Sequence, residues 1–200
     1  MTEQKIIAIG REFGSGGHEI AEKIAKDLGL KFYDRNMLDE IAAGMDIKVE
    51  VLDKYDEQPR NIFNSRRVRG YTNSMEEILA EIQFDFIRKK AAEGESFVIV
   101  GRCGDSILRE MNELITIFVS GEKRSKTKRI MERYELTEQK AKDMIVKKDK
   151  QRQSYYNYYS SKKWGRADSY DLCINSSVLG VEGTVRLIVQ YIEDFEKKNS

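Results

Sequence analysis

The 200-residue chain carries 35 Lys or Arg against 34 Asp or Glu, a formal net charge of +1, with one proline, one histidine and two cysteines. That length suits one well-buried core with appendages and is short for two. The even charge gives no global case for a nucleic-acid or membrane partner, so any such case must be local.

Met1–Lys5 is polar, and the apolar run Ile6–Ile9 after it is far shorter than the ~20 residues of a membrane helix and lacks a secretory cleavage pattern. Cys103 and Cys173 have no metal-ligand spacing, which argues against zinc and disulfide frameworks and suits a reducing cytoplasm. Lys5–Ile9 reads as a buried strand. It runs into Gly10–His18 and then a helix from near Glu19, on which Ile20, Ala21, Ile24, Ala25 and Leu28 share a face. A weaker strand lies at Leu30–Tyr33. Residues 34–70 form a helical excursion holding the single proline, Pro59, followed by a helix from Ser74 to Glu93 that Gly94 ends. Ser96–Val100 and Leu114–Val119 are strands. Residues 122–166 form a second excursion with fifteen Lys or Arg against six Asp or Glu, the steepest charge asymmetry in the chain. A strand at Asp171–Ile174 precedes a helix patterned by Val181, Val185, Ile188, Ile192 and Phe195. The alternation predicts an α/β fold, a parallel sheet of about five strands flanked by helices, in one domain spanning 1–200.

A strand, a glycine loop and a helix in succession make the context of a phosphate cradle. Glycines let successive N–H groups turn toward one point, and the helix N-terminus adds partial positive charge there. The loop is Gly10-Arg11-Glu12-Phe13-Gly14-Ser15-Gly16-Gly17-His18. The usual phosphate-loop pattern closes on Lys and then Ser or Thr, whereas Gly16-Gly17-His18-Glu19 stands here. A bare strand-to-helix turn therefore remains an alternative to the cradle. If phosphates bind, Arg11 is the nearest source of the missing charge, and Ser15 or Glu19 could offer Mg²⁺ an oxygen. His18 reads as a loop residue, because phosphoryl transfer does not require a histidine base.

The strings IAIGREFGSGGHEIAEKIAKDLG, KFYDRNML, FVIVGRCGDSIL and DKQRQSYYNYYSSKKWGRADSYDLCINSSVLGVEGTV together resemble the cytidylate-kinase-like family over nearly the whole chain. The resemblance implies a P-loop NTPase core with a helical acceptor-binding insertion (34–70), an arginine-bearing lid (122–166), and phosphoryl transfer from ATP, with Mg²⁺, to CMP or dCMP. It places Gly14, Ser15, Gly16, Gly17, His18 and Glu19 around the donor phosphates. Asp34 and Arg35 fall where the acceptor site begins. Arg102 falls where the acceptor's phosphate is held, with Asp105 beside it as either a further acceptor residue or a salt-bridge partner. In the lid, Arg129 and Arg133 are one helical turn apart and able to face one anion, next to Lys128. Arg152 follows Asp149 by three, so that carboxylate is positioned to orient the guanidinium. Two departures stand out: the absent lysine, and Val100 where authentic cytidylate kinases carry an aspartate before Gly101-Arg102.

Three functions follow. The first is an ATP-dependent nucleotide kinase in which Arg11, Arg129, Arg133 and Arg152 neutralise the transferring group. The second is a non-catalytic nucleotide sensor of the same fold. The third is single-stranded nucleic-acid binding by Tyr155, Tyr156, Tyr158, Tyr159 and Trp164 interleaved with lysines. Against the third, positions 155, 156 and 159 also fit one helical face packed on the core.

Overall fold

The computed structural model describes residues 4–45, 67–68, 71–72 and 74–199. Its centre is a five-stranded, all-parallel sheet in the order β2 (Lys31–Tyr33), β5 (Phe97–Val100), β1 (Ile6–Arg11), β6 (Leu114–Ser120), β7 (Leu172–Asn175). Ile6–Ile9 pairs with Phe97–Val100 on one side and with Leu114–Ile117 on the other. A strand covered on both faces reads as an unbroken apolar run, which is why these segments were legible as strands.

The two faces of β1 feed different cores. Ile6 and Ala8 pack with Met37, Leu38 and Ile87, from α2 (Met37–Met45) and α3 (Met75–Ala92). Ile7 and Ile9 pack with Ile20 and Ile24 of α1 (Gly17–Asp27) and with Ile188 and Ile192 of α7 (Ser176–Asn199). Each such Ile contributes roughly 1.5–3 kcal/mol relative to exposure. Ser74 caps α3 by accepting the Glu77 N–H at 3.4 Å, a contact of the kind worth about 1 kcal/mol. Between β5 and β6 lies the short α4 (Gly104–Ile107).

The basic excursion is a helical hairpin, α5 (Lys123–Tyr134) and α6 (Glu138–Tyr159), turned at Glu135 with φ 52°. Ile130, Ala141 and Ile145 make its small core, and Phe13 of the glycine loop is packed into it. Farther along α6, Tyr155 and Tyr156 join Ala80, Phe84 and Cys103, with Tyr159 and Trp164 against them. Tyr155, Tyr156, Tyr159 and Trp164 thus pack on the core, whereas Tyr158 is exposed.

Of the excursion at 34–70, α2 is described; Pro59 lies outside the described residues. Arg67–Val68 (β3) and Tyr71–Thr72 (β4) form a two-stranded antiparallel ladder that the sequence pattern did not announce. Among the described residues, no helix is long and apolar enough to cross a membrane.

Candidate active site

The β1 strand delivers the chain into its glycine loop at the carboxyl edge of the sheet, where Glu12 N–H still donates to Val119 O at 3.0 Å. Gly14 and Gly16 adopt φ of +84° and +79°, a region L side chains avoid. Ser15 is 3% exposed. Its hydroxyl donates to Glu12 O at 2.9 Å and accepts Gly17 N–H at 3.2 Å, so it is turned into the loop. The Ser176 hydroxyl lies 2.6 Å from Ser15 O and 3.0 Å from Ser120 O, tying the ends of β6 and β7 to the same turn. With Gly16 as N-cap and its carbonyl taken by Ile20 N–H, the Gly16, His18 and Glu19 amides have no intrahelical acceptor. Orphan donors and the positive end of α1 together make an anion cradle that needs no side chain.

At Gly17, where a lysine would close the loop, there is no room for a side chain. A Cβ there would lie 2.6 Å from Arg11 Cβ and 3.2 Å from Arg11 Cγ. The Arg11 stem fills the volume a loop lysine would start from. A second cation braces the loop from another side. Lys126 of α5, 6% exposed, places Nζ 2.9 Å from Glu12 Oε2 and 3.3 Å from Asp149 Oδ2. Glu12 Oε2 also accepts Gly121 N–H at 3.0 Å, and Asp149 Oδ1 accepts Phe13 N–H at 2.6 Å. Burial pushes the Asp149 carboxyl above its usual range, against the pull of the Phe13 amide and Lys126. Helical spacing pointed Asp149 at Arg152; the structure gives it to Lys126 and the loop backbone. Nothing in the lysine-rich string of α5 marked Lys126, since only its burial sets it apart.

Two spaces meet at this loop. A cleft of about 670 Å³ is lined by Gly14, Gly16, Gly17, His18 and Glu19 together with Arg11, Arg129, Arg133 and Arg152. A small chamber of about 30 Å³ at the ends of β1 and β5 is lined by Arg11, Arg102, Asp105 and Arg152, with Tyr155, Tyr156, Trp164 and Tyr170 as aromatic wall. Arg11 and Arg152 belong to both. Arg152 Nη1 donates to Arg11 O at 3.2 Å, and its guanidinium stacks 5.4 Å over Phe13.

The other expected residues distribute around these spaces. Arg129 Nη1 lies 3.0 Å from Glu19 Oε2, and the Arg133 guanidinium sits 5.8 Å over the Tyr134 ring. Arg102, 4% exposed, has φ 55° and Cys103 φ 52°. Two consecutive left-handed non-glycine residues cost of order 1–3 kcal/mol each and cluster at functional sites. Asp105 accepts the Tyr156 hydroxyl at 2.5 Å, and burial raises its carboxyl above the usual range. His18 Nε2 lies 2.6 Å from Asp34 Oδ2. That hydrogen bond holds the Asp34 carboxyl below its usual range, with Arg102 adding to the effect. Arg35 is exposed and lines neither space.

Residues 6–178 match the model of the cytidylate kinase-like family. The chain belongs to that family. Among solved structures, it resembles an uncharacterized protein from Eubacterium ventriosum at 40% identity and a TM-score of 0.75, over 95% of this chain and 99% of that one. At 14% identity and a TM-score of 0.56 it resembles shikimate kinase from Bacteroides thetaiotaomicron, over 94% of this chain and 98% of that one. At 15% identity and a TM-score of 0.51 it resembles the Acinetobacter baumannii shikimate kinase solved with shikimate, over 100% and 96%. The last two likenesses establish the P-loop kinase fold. No curated protein matches the chain.

For a cytidylate kinase-like chain, the orphan amides and four guanidiniums of the cleft fit a polyphosphate. The oxygens offered to a metal are less open. Ser15 Oγ is spent within the loop and Glu19 is paired with Arg129, so either would meet Mg²⁺ by exchanging its present partner. Among the described residues there is no cluster of three or more His, Cys, Asp or Glu side chains able to hold a metal ion.

Proposed function

We propose that this protein transfers a phosphoryl group from ATP to a nucleoside monophosphate of the CMP or dCMP kind, with Arg11 replacing the loop lysine. The observation that carries the reading is that Arg11 and Arg152 line both the loop cleft and the arginine-lined chamber beside it. Both cations are therefore placed to neutralise a group that passes from one space to the other. In this reading the loop amides hold the β-phosphate, Arg129 and Arg133 hold the donor from the lid side, and Arg102 and Asp105 position the acceptor, with Asp34 held by His18 of the glycine loop. When bound, Mg²⁺ supplies further neutralisation of the β- and γ-phosphate oxygens, with Ser15 and Glu19 as the residues that would hold it. The protein's own contribution is positioning and charge stabilisation in a space that closure of the lid makes drier. No covalent intermediate is needed.

The test is incubation of the protein with Mg·ATP and a panel of nucleoside monophosphates including CMP and dCMP, reading ADP and product diphosphate against Arg102→Ala. Acceptor-dependent turnover that collapses in the variant supports the proposal. The glycine at position 17 favours one other reading, a nucleotide sensor, for which the same assay gives ATP binding and no turnover with any acceptor.

A further inference from the structure

Only one face of α5 looks at the phosphate cleft: Arg129 and Arg133 line it, whereas Lys123, Arg124 and Met131 line a separate groove of about 1030 Å³ between α5 and α6. We infer that this outer groove docks an acidic, amphipathic helix of a partner protein. The floor is aliphatic, made by Met131, Ile145 and Val146, and Val146 is 67% exposed. An apolar residue that open at the centre of a groove suits the apolar stripe of another helix.

The rim is cationic and in part uncompensated. Lys128 and Lys142 have carboxylate partners one turn away, Glu132 and Glu138. Lys123, Arg124 and Lys150 have none within 4.0 Å among the described residues. Lys123 and Arg124 also occupy the first turn of α5, which carries no acidic residue. Cations there meet the positive end of the helix dipole, offset by the single carboxylate of Glu122 at the N-cap, so a further anion is favoured there. The groove positions on α6 run from Glu138 to Gln153, about 22 Å at 1.5 Å per residue, the length of a helix of about four turns.

Nucleic acid fits this groove less well. Its walls hold a single aromatic, Trp164, whose ring packs edge-on against Phe118 at 5.2 Å, while Tyr155, Tyr156 and Tyr159 pack in the core and the exposed Tyr158 does not line the groove. The inner wall is the Lys126–Asp149 pair that grips Glu12 and the Phe13 amide, so an occupant would sit one ion pair away from the phosphate loop.

The experiment uses fluorescence anisotropy with the full chain and a labelled designed peptide of about 16 residues, with Leu along one helical face and Glu on the rest. A scrambled peptide of the same composition and a labelled oligouridylate are run in parallel. Val146→Glu and the triple Lys123→Glu/Arg124→Glu/Lys150→Glu change exposed positions, and thermal melts confirm that each is folded. The expected result is saturable binding of the amphipathic peptide, at least about ten-fold weaker for either variant, with no binding of the scramble. Absent binding, equal binding of the scramble, binding unchanged in both variants, or oligouridylate binding that outcompetes the peptide overturns the inference. None of these readings depends on turnover, so they stand apart from the kinase assay.

Discussion

Exchanging the cation between positions 11 and 17 tests whether Arg11 has taken the loop lysine's place. Gly17 has no positive φ, so the backbone there accepts any residue and only space forbids a side chain. The obstacle is Arg11 Cβ, 2.6 Å from the Cβ that Gly17→Lys would add, and Arg11 is pinned by its register with Val119 in the central strand. Gly17→Lys alone should therefore cost about 1–3 kcal/mol, the range of a small-to-large change in a packed site. For a domain of this size that lowers the melting temperature by roughly 2–4 °C per kcal/mol. Arg11→Ala/Gly17→Lys keeps the offending Cβ and should melt no higher than Gly17→Lys. Arg11→Gly/Gly17→Lys removes it and should recover most of the loss, less about 0.5–1 kcal/mol for a glycine in a strand. The double exchange should also retain ATP binding by titration calorimetry, because a loop cation is present again. If Gly17→Lys melts like the parent, or if the Ala and Gly versions at position 11 behave alike, the steric argument is refuted.

Arg152→Ala should lower kcat by about 10²–10³ with a smaller change in the KM for ATP, since its role is at the junction of the two spaces; a coupled ADP assay with unchanged kcat would remove it from that role. Lys126→Met leaves Glu12 and Asp149 facing each other without their cation and should cost about 2–3 kcal/mol, below the usual figure for a fully buried broken pair because Glu12 is partly exposed; the triple neutral variant Glu12→Gln/Lys126→Met/Asp149→Asn should recover stability in urea unfolding, and equal midpoints for the single and triple variants would contradict the latch. His18→Ala should flatten the acid limb of stability. Asp34 is held below its ordinary value of 3.8 by the His18 bond, so its contribution is present above that pH and lost as pH falls through the lower folded value. An unchanged acid limb in melts from pH 5 to 2.5 would show that the pair contributes nothing.

The sheet was legible for a physical reason. β1, β5 and β6 are covered on both faces, so their apolar runs need no periodicity to be read, and each was placed to within two residues. β2 was the weakest because it offers three residues with only Tyr33 buried. The ladder of Arg67–Val68 on Tyr71–Thr72 is too short to leave a pattern. At the site, the sequence names Arg11 as the cation nearest the loop, and Arg11 lines both spaces there. What forces glycine at position 17 was not legible, since the Arg11 Cβ contact exists only once strand and helix are superposed in space. Charge counting failed differently. Fifteen cations in residues 122–166 look like one basic surface, but α5 and α6 separate several of them: Arg129, Arg133 and Arg152 line the loop cleft, Lys126 is buried behind the loop, and Lys123, Arg124, Lys128, Lys142 and Lys150 rim an outer groove. Helical periodicity says which residues share a face; it does not say which face meets the loop. That orientation is fixed by contacts with the loop: Phe13 packs on the hairpin core of Ile130, Ala141 and Ile145, and Lys126 and Asp149 bind Glu12 and the Phe13 amide. An apolar residue inside the glycine loop thus helps set which arginines face the loop cleft and which cations are left on the outer groove.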